Sequence, residues 1–217
     1  MLILGLTGSI AMGKSTAAGM LRRLGVPVYD ADAAVHRLLA RGGGGVAAIA
    51  KVFPDVVEDG AVDRKRLGAR VFGDAAALRT LEGILHPLVA RARQRFLRTA
   101  VRQGRPLVVL DIPLLFETGG EHGCDAVCVV SAPRFLQEAR LLRRPDMDRA
   151  RIAAVAARQM PDAEKRRRAD FVVASGLGRA VTFAALRRIV EELRARPGKV
   201  WPYCNKLRLL DGKRHKM

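Results

Sequence analysis

An α/β fold with a parallel sheet is predicted for this chain by three observations. Leu2 to Leu6 form a short, nearly all-apolar run, which suits a strand buried on both faces. Gly8-Ser9-Ile10-Ala11-Met12-Gly13-Lys14-Ser15 follows at once and fits G-x-x-x-x-G-K-[ST] at every required position. Further apolar strands then alternate with helical stretches, the order that gives a parallel sheet with helices on both faces.

The loop is suited to phosphate by its residue types. A phosphate chain concentrates negative charge and hydrogen-bond acceptors. Gly8 and Gly13 permit the tight turns that aim successive N–H groups inward, and the helix opening near Gly13 adds its positive dipole end. Lys14 is spaced to reach the β- and γ-phosphates, and the Ser15 hydroxyl to ligate Mg²⁺. From Thr16 to Leu24 a helix follows, with Ala17, Met20, Leu21 and Leu24 on one face. A strand before and a helix after distinguish a working phosphate loop from a chance glycine-rich turn.

Composition limits the rest. A length of 217 residues suffices for one sizeable core, or for a core with a smaller inserted domain. With 49% hydrophobic and 28% charged residues, the chain reads as globular rather than disordered or membranous. Its net charge of +18 would attract nucleic acid, anionic membranes and polyphosphate ligands alike, so charge alone does not choose among them. Cys124 and Cys128 are placed on a buried strand and, like Cys204, read as reduced thiols of a cytoplasmic protein rather than zinc ligands. The first apolar run is only a few residues long and lacks a preceding basic region, as a strand would and a signal peptide would not. No segment has the length to span a bilayer.

Taken in order, Gly25 stops the first helix and Val26 to Asp30 make a second strand, ending in Asp30-Ala31-Asp32. Ligands of open α/β sheets bind outside the carboxyl ends of the strands, where both acids would lie. Either could instead cap the helix that follows. Residues 32–103 read as helices broken by loops: Gly42 to Gly45 as a flexible break, Pro54 as a stop, Asp63 and Asp74 as helix starts, and His86-Pro87 as the opening of a longer helix. This region is too large for a simple crossover and reads as an inserted helical substrate domain. Arg105 to Asp111 form the third strand, whose terminal acid resembles a metal-holding carboxylate. Ile112 to Glu117 follow as a proline-stiffened apolar rim carrying a further acid. Asp125 to Ser131 and Asp170 to Gly176 are the fourth and fifth strands. Between them, 133–168 read as a basic helical lid: one helix from Pro133 bearing Gln137, Arg140 and Arg144, a second from about Asp148 to Met160, and a third after Pro161. Arg140 and Arg144, four apart, share a face and suit transferring phosphate oxygens. Arg166 to Arg168 read as a solvated charged face. Phe183 to Leu193 mark a last amphipathic helix, and 197–217 a basic tail.

The expected organisation is one unit over 1–196, with a nucleotide-binding core from 1–31, 104–132 and 169–196, the helical region 32–103 and the lid 133–168. Its class is a P-loop NTPase core. A regulatory GTPase would need D-x-x-G after the third strand, but Ile112-Pro113-Leu114 follow Asp111; its N-K-x-D is also missing. A nucleic-acid motor would want exposed aromatics for base stacking, which are few. A small-molecule kinase accounts for the insertion, the basic lid and the acids at strand ends together. A nucleotide-dependent nucleic-acid-binding switch is the rival from another class.

These residues carry a resemblance. From Leu4 to about Leu193 the chain resembles the dephospho-coenzyme A kinase family in Gly5-Leu6-Thr7-Gly8, Gly13 to Thr16, Asp30-Ala31-Asp32, Asp63-Arg64 with Leu67 and Val71-Phe72, and Leu81-Glu82 with His86-Pro87. It continues through Asp111 to Glu117, Gln137-x-x-Arg140-x-x-x-Arg144, Gln159-Met160-Pro161, and Lys165 with Ala169-Asp170. Ser9, Ala11 and Met12 depart from the family's usual smaller glycine or serine, and Ser175 stands where asparagine is usual. The resemblance implies ATP-dependent phosphorylation of the ribose 3′-hydroxyl of dephospho-coenzyme A, with Mg²⁺. Lys14, Arg140 and Asp32 would be catalytic, Asp32 acting on the hydroxyl in preference to Asp30. Gly8, Ala11, Met12, Gly13, Lys14, Ser15, Thr16, Arg144 and Ser175 would bind the nucleotide, and Ser15 with Asp111 the metal. Arg64, His86, Leu115, Phe116 and Asp32 would contact the acceptor. It further implies a monomer or weak oligomer with no specific nucleic-acid or membrane partner.

Overall fold

The structure, a computed structural model, describes residues 1–143, 152 and 159–201. In chain order its elements are β1 (Leu2–Thr7), α1 (Lys14–Arg23), β2 (Val28–Asp30), α2 (Ala31–Leu39), α3 (Val46–Ala50), β3 (Val57–Glu58), β4 (Ala61–Val62) and α4 (Arg64–Val71). They continue with α5 (Ala75–Arg102), β5 (Leu107–Asp111), β6 (Ala126–Ser131), α6 (Arg134–Leu142), α7 (Asp162–Arg168), β7 (Phe171–Ala174) and α8 (Arg179–Arg194). The expected second lid helix, from about Asp148 to Met160, lies almost wholly outside the described residues. The chain divides into two compact units, one holding residues up to Val28 and from Ala100 onward, the other Tyr29–Thr99.

Five strands form the expected sheet in the order β2-β5-β1-β6-β7. β1 runs parallel to β5 on one side and to β6 on the other, and β6 runs parallel to β7. A strand paired on both edges and covered on both faces has no polar side to present, which is why every residue of β1 is buried. Ala17, Ala18, Met20 and Leu21 of α1 and Leu186, Ile189, Val190 and Leu193 of α8 bury against Leu4, Leu6, Val109, Cys128 and Val130. Burial pushes the Cys128 thiol up to about 12. Cys124, expected on the same strand, precedes it instead, at the end of a short 3-10 turn over Gly120–Gly123.

The amino ends of two strands are fastened by one repeated device. Asp125 donates its N–H to Ile3 O (2.8 Å) and accepts the Ile3 N–H on Oδ2 (2.8 Å). Asp170 does the same to Val127, at 3.0 and 2.7 Å. Each aspartate side chain thus supplies the ladder bond that the backbone runs out of at the strand start. Asp125 Oδ1 also accepts the N–H groups of Lys199 and Val200, which holds the chain after α8 against this edge.

In the other unit, Leu39, Ile49, Phe53, Val56, Val62, Leu67, Ala77 and Leu81 make a separate core. Asp63 caps α4 through the Lys65 and Arg66 N–H groups, and Asp74 meets those of Ala76 and Ala77 at the start of α5. Three expectations need correction here. Gly42 to Gly45 are not a loose break: Gly43 N–H bonds Ala40 O (2.7 Å), Gly45 N–H bonds Leu38 O (3.0 Å), and a Cβ on Gly43 would fall 2.3 Å from Leu38 O. The chain turns so closely there that only glycine fits. Residues 57–62 form an antiparallel hairpin, β3–β4, whose Asp59-Gly60 turn holds both residues at positive φ, as a two-residue hairpin turn requires. Pro87 does not open a helix but lies inside the 28-residue α5. Its missing N–H removes the usual helical bond to Gly83 O, and both residues are exposed, so water can take the place of the lost bond.

The strand-start device yields a stability test. Asp125→Ala leaves the N–H groups of Ile3, Lys199 and Val200 without their acceptor and should cost about 2 kcal/mol, read as a lowered denaturant midpoint at unchanged slope.

Candidate active site

The loop between β1 and α1 is shaped by close approach. A Cβ on Gly8 would lie 2.5 Å from Val130 O, so the chain leaves β1 pressed against β6. Ala11 takes φ +60 and Gly13 φ +92, while Met12 N–H turns back to Ser9 O at 3.2 Å. A Cβ on Gly13 would also meet Ser175 Oγ at 3.0 Å. Gly13 is the N-cap of α1 and no side chain caps that helix, which leaves its first-turn amides for an anion.

Four side chains from outside the loop hold its apex. Gln159 Oε1 accepts the Ile10 N–H at 3.0 Å, and Gln137 Nε2 donates to Ile10 O at 2.9 Å. Arg140 Nη1 donates to Ala11 O (3.2 Å) and to Ser175 Oγ (3.0 Å), and its Nη2 to Ser175 O (2.9 Å). Ser175 Oγ in turn donates to Met12 O at 2.6 Å. Arg140 and Ser175 therefore meet at the loop. Arg144, predicted one turn further on, lies outside the described residues. No local pattern marks Gln137 and Gln159 as loop contacts, although Gln137 and Arg140, three apart on α6, share a face.

Lys14 Nζ pairs with Asp111 Oδ1 at 2.6 Å, and the carboxylate is almost fully buried. The pairing follows from the register of the sheet, which sets Leu6 opposite Asp111 at the exit of β1. Ser15 and Thr16 are exposed in the first turn of α1. The Ser15 hydroxyl and the Asp111 carboxylate are oxygen donors of the kind Mg²⁺ prefers. Among the described residues no cluster of three His, Cys, Asp or Glu side chains could hold a metal ion.

Six residues beyond Asp111 lies a second buried pair that the sequence reading missed. Lys165 is fully buried, its Nζ 2.8 Å from Glu117 Oε1, which also accepts the Met160 N–H at 2.8 Å. Ser131 Oγ adds a 2.7 Å bond to Asp162. The residues after Gln159 are thereby pinned to the sheet. Burial alone would push the Glu117 carboxyl up, but hydrogen bonds from Lys165 and the Met160 N–H outweigh it and hold it below the ordinary 4.5. Of the neighbouring charge run, Arg166, Arg167 and Arg168 are exposed as expected, and Arg168 also pairs with Glu121 and lies over the Phe116 ring.

The apolar rim expected after Asp111 is a correction. Leu115 is 0% exposed and Phe116 6%, packed with Val127 and Val129, because the turn after Pro113 folds them beneath the sheet. Leu114, 37% exposed, is the apolar neighbour that faces outward. In the helical unit, Asp30 is the cap of α2, accepting the Ala33 N–H at 2.9 Å, and Asp32 is exposed in its first turn. Arg64 Nη1 contacts His36 Nε2, and His86 is exposed midway along α5.

Comparison with known proteins gives a consistent result. A family model described as dephospho-CoA kinase matches residues 2–178. A dephospho-CoA kinase of Paramagnetospirillum magneticum is 68% identical over 166 residues, 76% of this chain and 78% of that protein. One from Rhodospirillum rubrum is 58% identical over 188 residues, 86% and 89% of the two chains. A crystal structure from Thermus thermophilus is 37% identical with TM-score 0.76, covering 88% of this chain and 97% of that one. A dephospho-CoA kinase from Campylobacter jejuni, 23% identical with TM-score 0.62 over 88% and 96%, shares the fold. No described helix is long and apolar enough to cross a membrane.

The buried pair gives this site its test. Lys165→Met strands the Glu117 carboxylate and should cost about 3 kcal/mol at neutral pH. Because the Glu117 pKa is lowered in the fold, the wild-type advantage is full above the ordinary carboxylate value and is lost as pH falls through the lowered one. Urea unfolding at neutral pH and at about pH 3 should therefore find the gap between the two proteins narrowed in acid.

Proposed function

The chain belongs to the dephospho-CoA kinase family, and on that premise we propose that it transfers the terminal phosphoryl group of ATP to the ribose 3′-hydroxyl of dephospho-coenzyme A, the last step of coenzyme A synthesis in the cytoplasm. The observation that carries this reading is the loop itself, an uncapped helix start with Lys14 beside it and its apex held by Gln137, Gln159, Arg140 and Ser175. No observation on the described residues favours the nucleic-acid-binding switch over it.

Phosphoryl transfer asks little covalent chemistry of a protein; positioning and charge stabilisation carry it. The loop amides around Gly8, Ala11, Met12 and Gly13, with Ser15 and Thr16, receive the phosphates, while Ser175 supports the loop through its bond to Met12 O. Lys14 turns from Asp111 to the oxygens of the transferring group, and Arg140 supplies the second positive charge. Resemblance gives Arg144 the same task. Ser15 and Asp111 would hold Mg²⁺, which supplies charge neutralisation on the phosphates when bound. The bond from the γ-phosphorus to its bridging oxygen breaks as the bond from the 3′-oxygen forms, and the hydroxyl proton passes to Asp32. That role falls to Asp32 because Asp30 is committed to capping α2, whereas Asp32 stands exposed beyond the carboxyl end of β2. Arg64 and His86 are the acceptor contacts on the helical unit.

Incubation with Mg-ATP and dephospho-coenzyme A should give coenzyme A by mass, and Asp32→Asn should lower turnover by roughly 10²–10⁴ while ATP still binds. No product from the wild-type protein would overturn the assignment. Undiminished turnover in the variant would remove Asp32 from the reaction.

A further inference from the structure

We propose that Gln137 and Gln159 are positioning residues for the nucleotide: together they set the direction in which the phosphate loop aims its amides. The inference rests on the kinase reading above and adds to it two residues that act through the Ile10 backbone.

Four consecutive peptide groups of the loop are each tied to a side chain outside it. The 9–10 peptide is held by its Ile10 N–H on Gln159 Oε1, the 10–11 peptide by Ile10 O on Gln137 Nε2, the 11–12 peptide by Ala11 O on Arg140, and the 12–13 peptide by Met12 O on Ser175 Oγ. A trans peptide is planar, and its N–H points opposite to its C=O. Holding the carbonyls of Ile10 and Met12 outward therefore turns the N–H groups of Ala11 and Gly13 the other way, into the concave side of the loop. The 11–12 peptide has its own return bond, from Met12 N–H to Ser9 O. Ala11 at φ +60 sits in the left-handed region that L-residues avoid, so this shape needs outside bonds to persist.

The two glutamines differ in what they must supply. Gln137 gives a donor to a carbonyl; Gln159 gives an acceptor to an amide. Their elements are independent as well: Gln137 is on α6, while Gln159 precedes α7 and is followed directly by Met160, whose N–H is bound by Glu117. A carboxylate in place of the amide separates the roles. Gln159→Glu keeps an acceptor for Ile10 N–H, whereas Gln137→Glu sets a carboxylate against Ile10 O. Both variants add one negative charge beside the same residue, so charge alone would affect them alike.

The test measures Mg-ATP affinity by calorimetry and steady-state constants for both substrates. Gln137→Glu should bind ATP about tenfold more weakly than Gln159→Glu, the size of one lost hydrogen bond with its acceptor left unsatisfied. KM for ATP should rise in step, and KM for dephospho-coenzyme A should not move. Gln137→Met, which removes the donor without adding charge, should also bind ATP several-fold more weakly than wild type and serves if the Glu variant does not fold. Equal losses in the two Glu variants, or wild-type ATP affinity in Gln137→Met, would overturn the proposal. Failure of the wild-type protein to bind ATP would instead overturn the kinase reading.

Discussion

The placement of β1 is the constraint on which everything else depends. It is paired on both sides, so its backbone has no freedom to slide without breaking the ladders to β5 and β6 at once. Its register with β5 puts Asp111 beside the exit to the loop, and its register with β6 presses Gly8 against Val130. Thr7 adds a 2.9 Å bond from its hydroxyl to Pro113 O. A loop begun from so fixed a point needs only a few side-chain bonds to hold its shape over the next six residues.

The segment from Asp111 to Glu117 ties two parts of the nucleotide-binding unit together. At one end Asp111 meets Lys14; at the other Glu117 meets Lys165 and the Met160 N–H. Leu115 and Phe116 between them are anchored in the core, which keeps the spacing of the two carboxylates rigid. Buried ion pairs of this kind are poor sources of net stability but penalise alternative arrangements heavily, since each rearrangement strands a charge. The stretch entering α7 is in this way held in register with the phosphate loop.

Much of this was legible in the sequence because the relevant physics is local. An apolar run, a glycine-rich turn and an amphipathic helix announce themselves within twenty residues, and so β1, the loop and α1 could be read directly. The hairpin at 57–62 carried a local signal too, Asp59-Gly60 between short apolar stretches, which the surrounding helical pattern hid. Lys165 was harder. It stands in a run of four cations, and only the buried carboxylate 48 positions earlier distinguishes it from its solvated neighbours. Leu115 and Phe116 misled for the related reason that an apolar pair after a proline looks the same whether it lines a rim or fills a core. The roles of Gln137 and Gln159 depend on contacts across more than a hundred residues, which no periodicity encodes.

The aspartates that open β6 and β7 have a different kind of consequence. Both fasten the amino-terminal rim of the sheet, while the Lys14–Asp111 pair and the loop after β1 lie at the carboxyl-terminal rim, where open α/β sheets take their ligands. Durability and chemistry are thus assigned to opposite borders of one layer. A lineage could retune this protein for warmer or colder surroundings by altering the first border, with little change in how it treats its substrates.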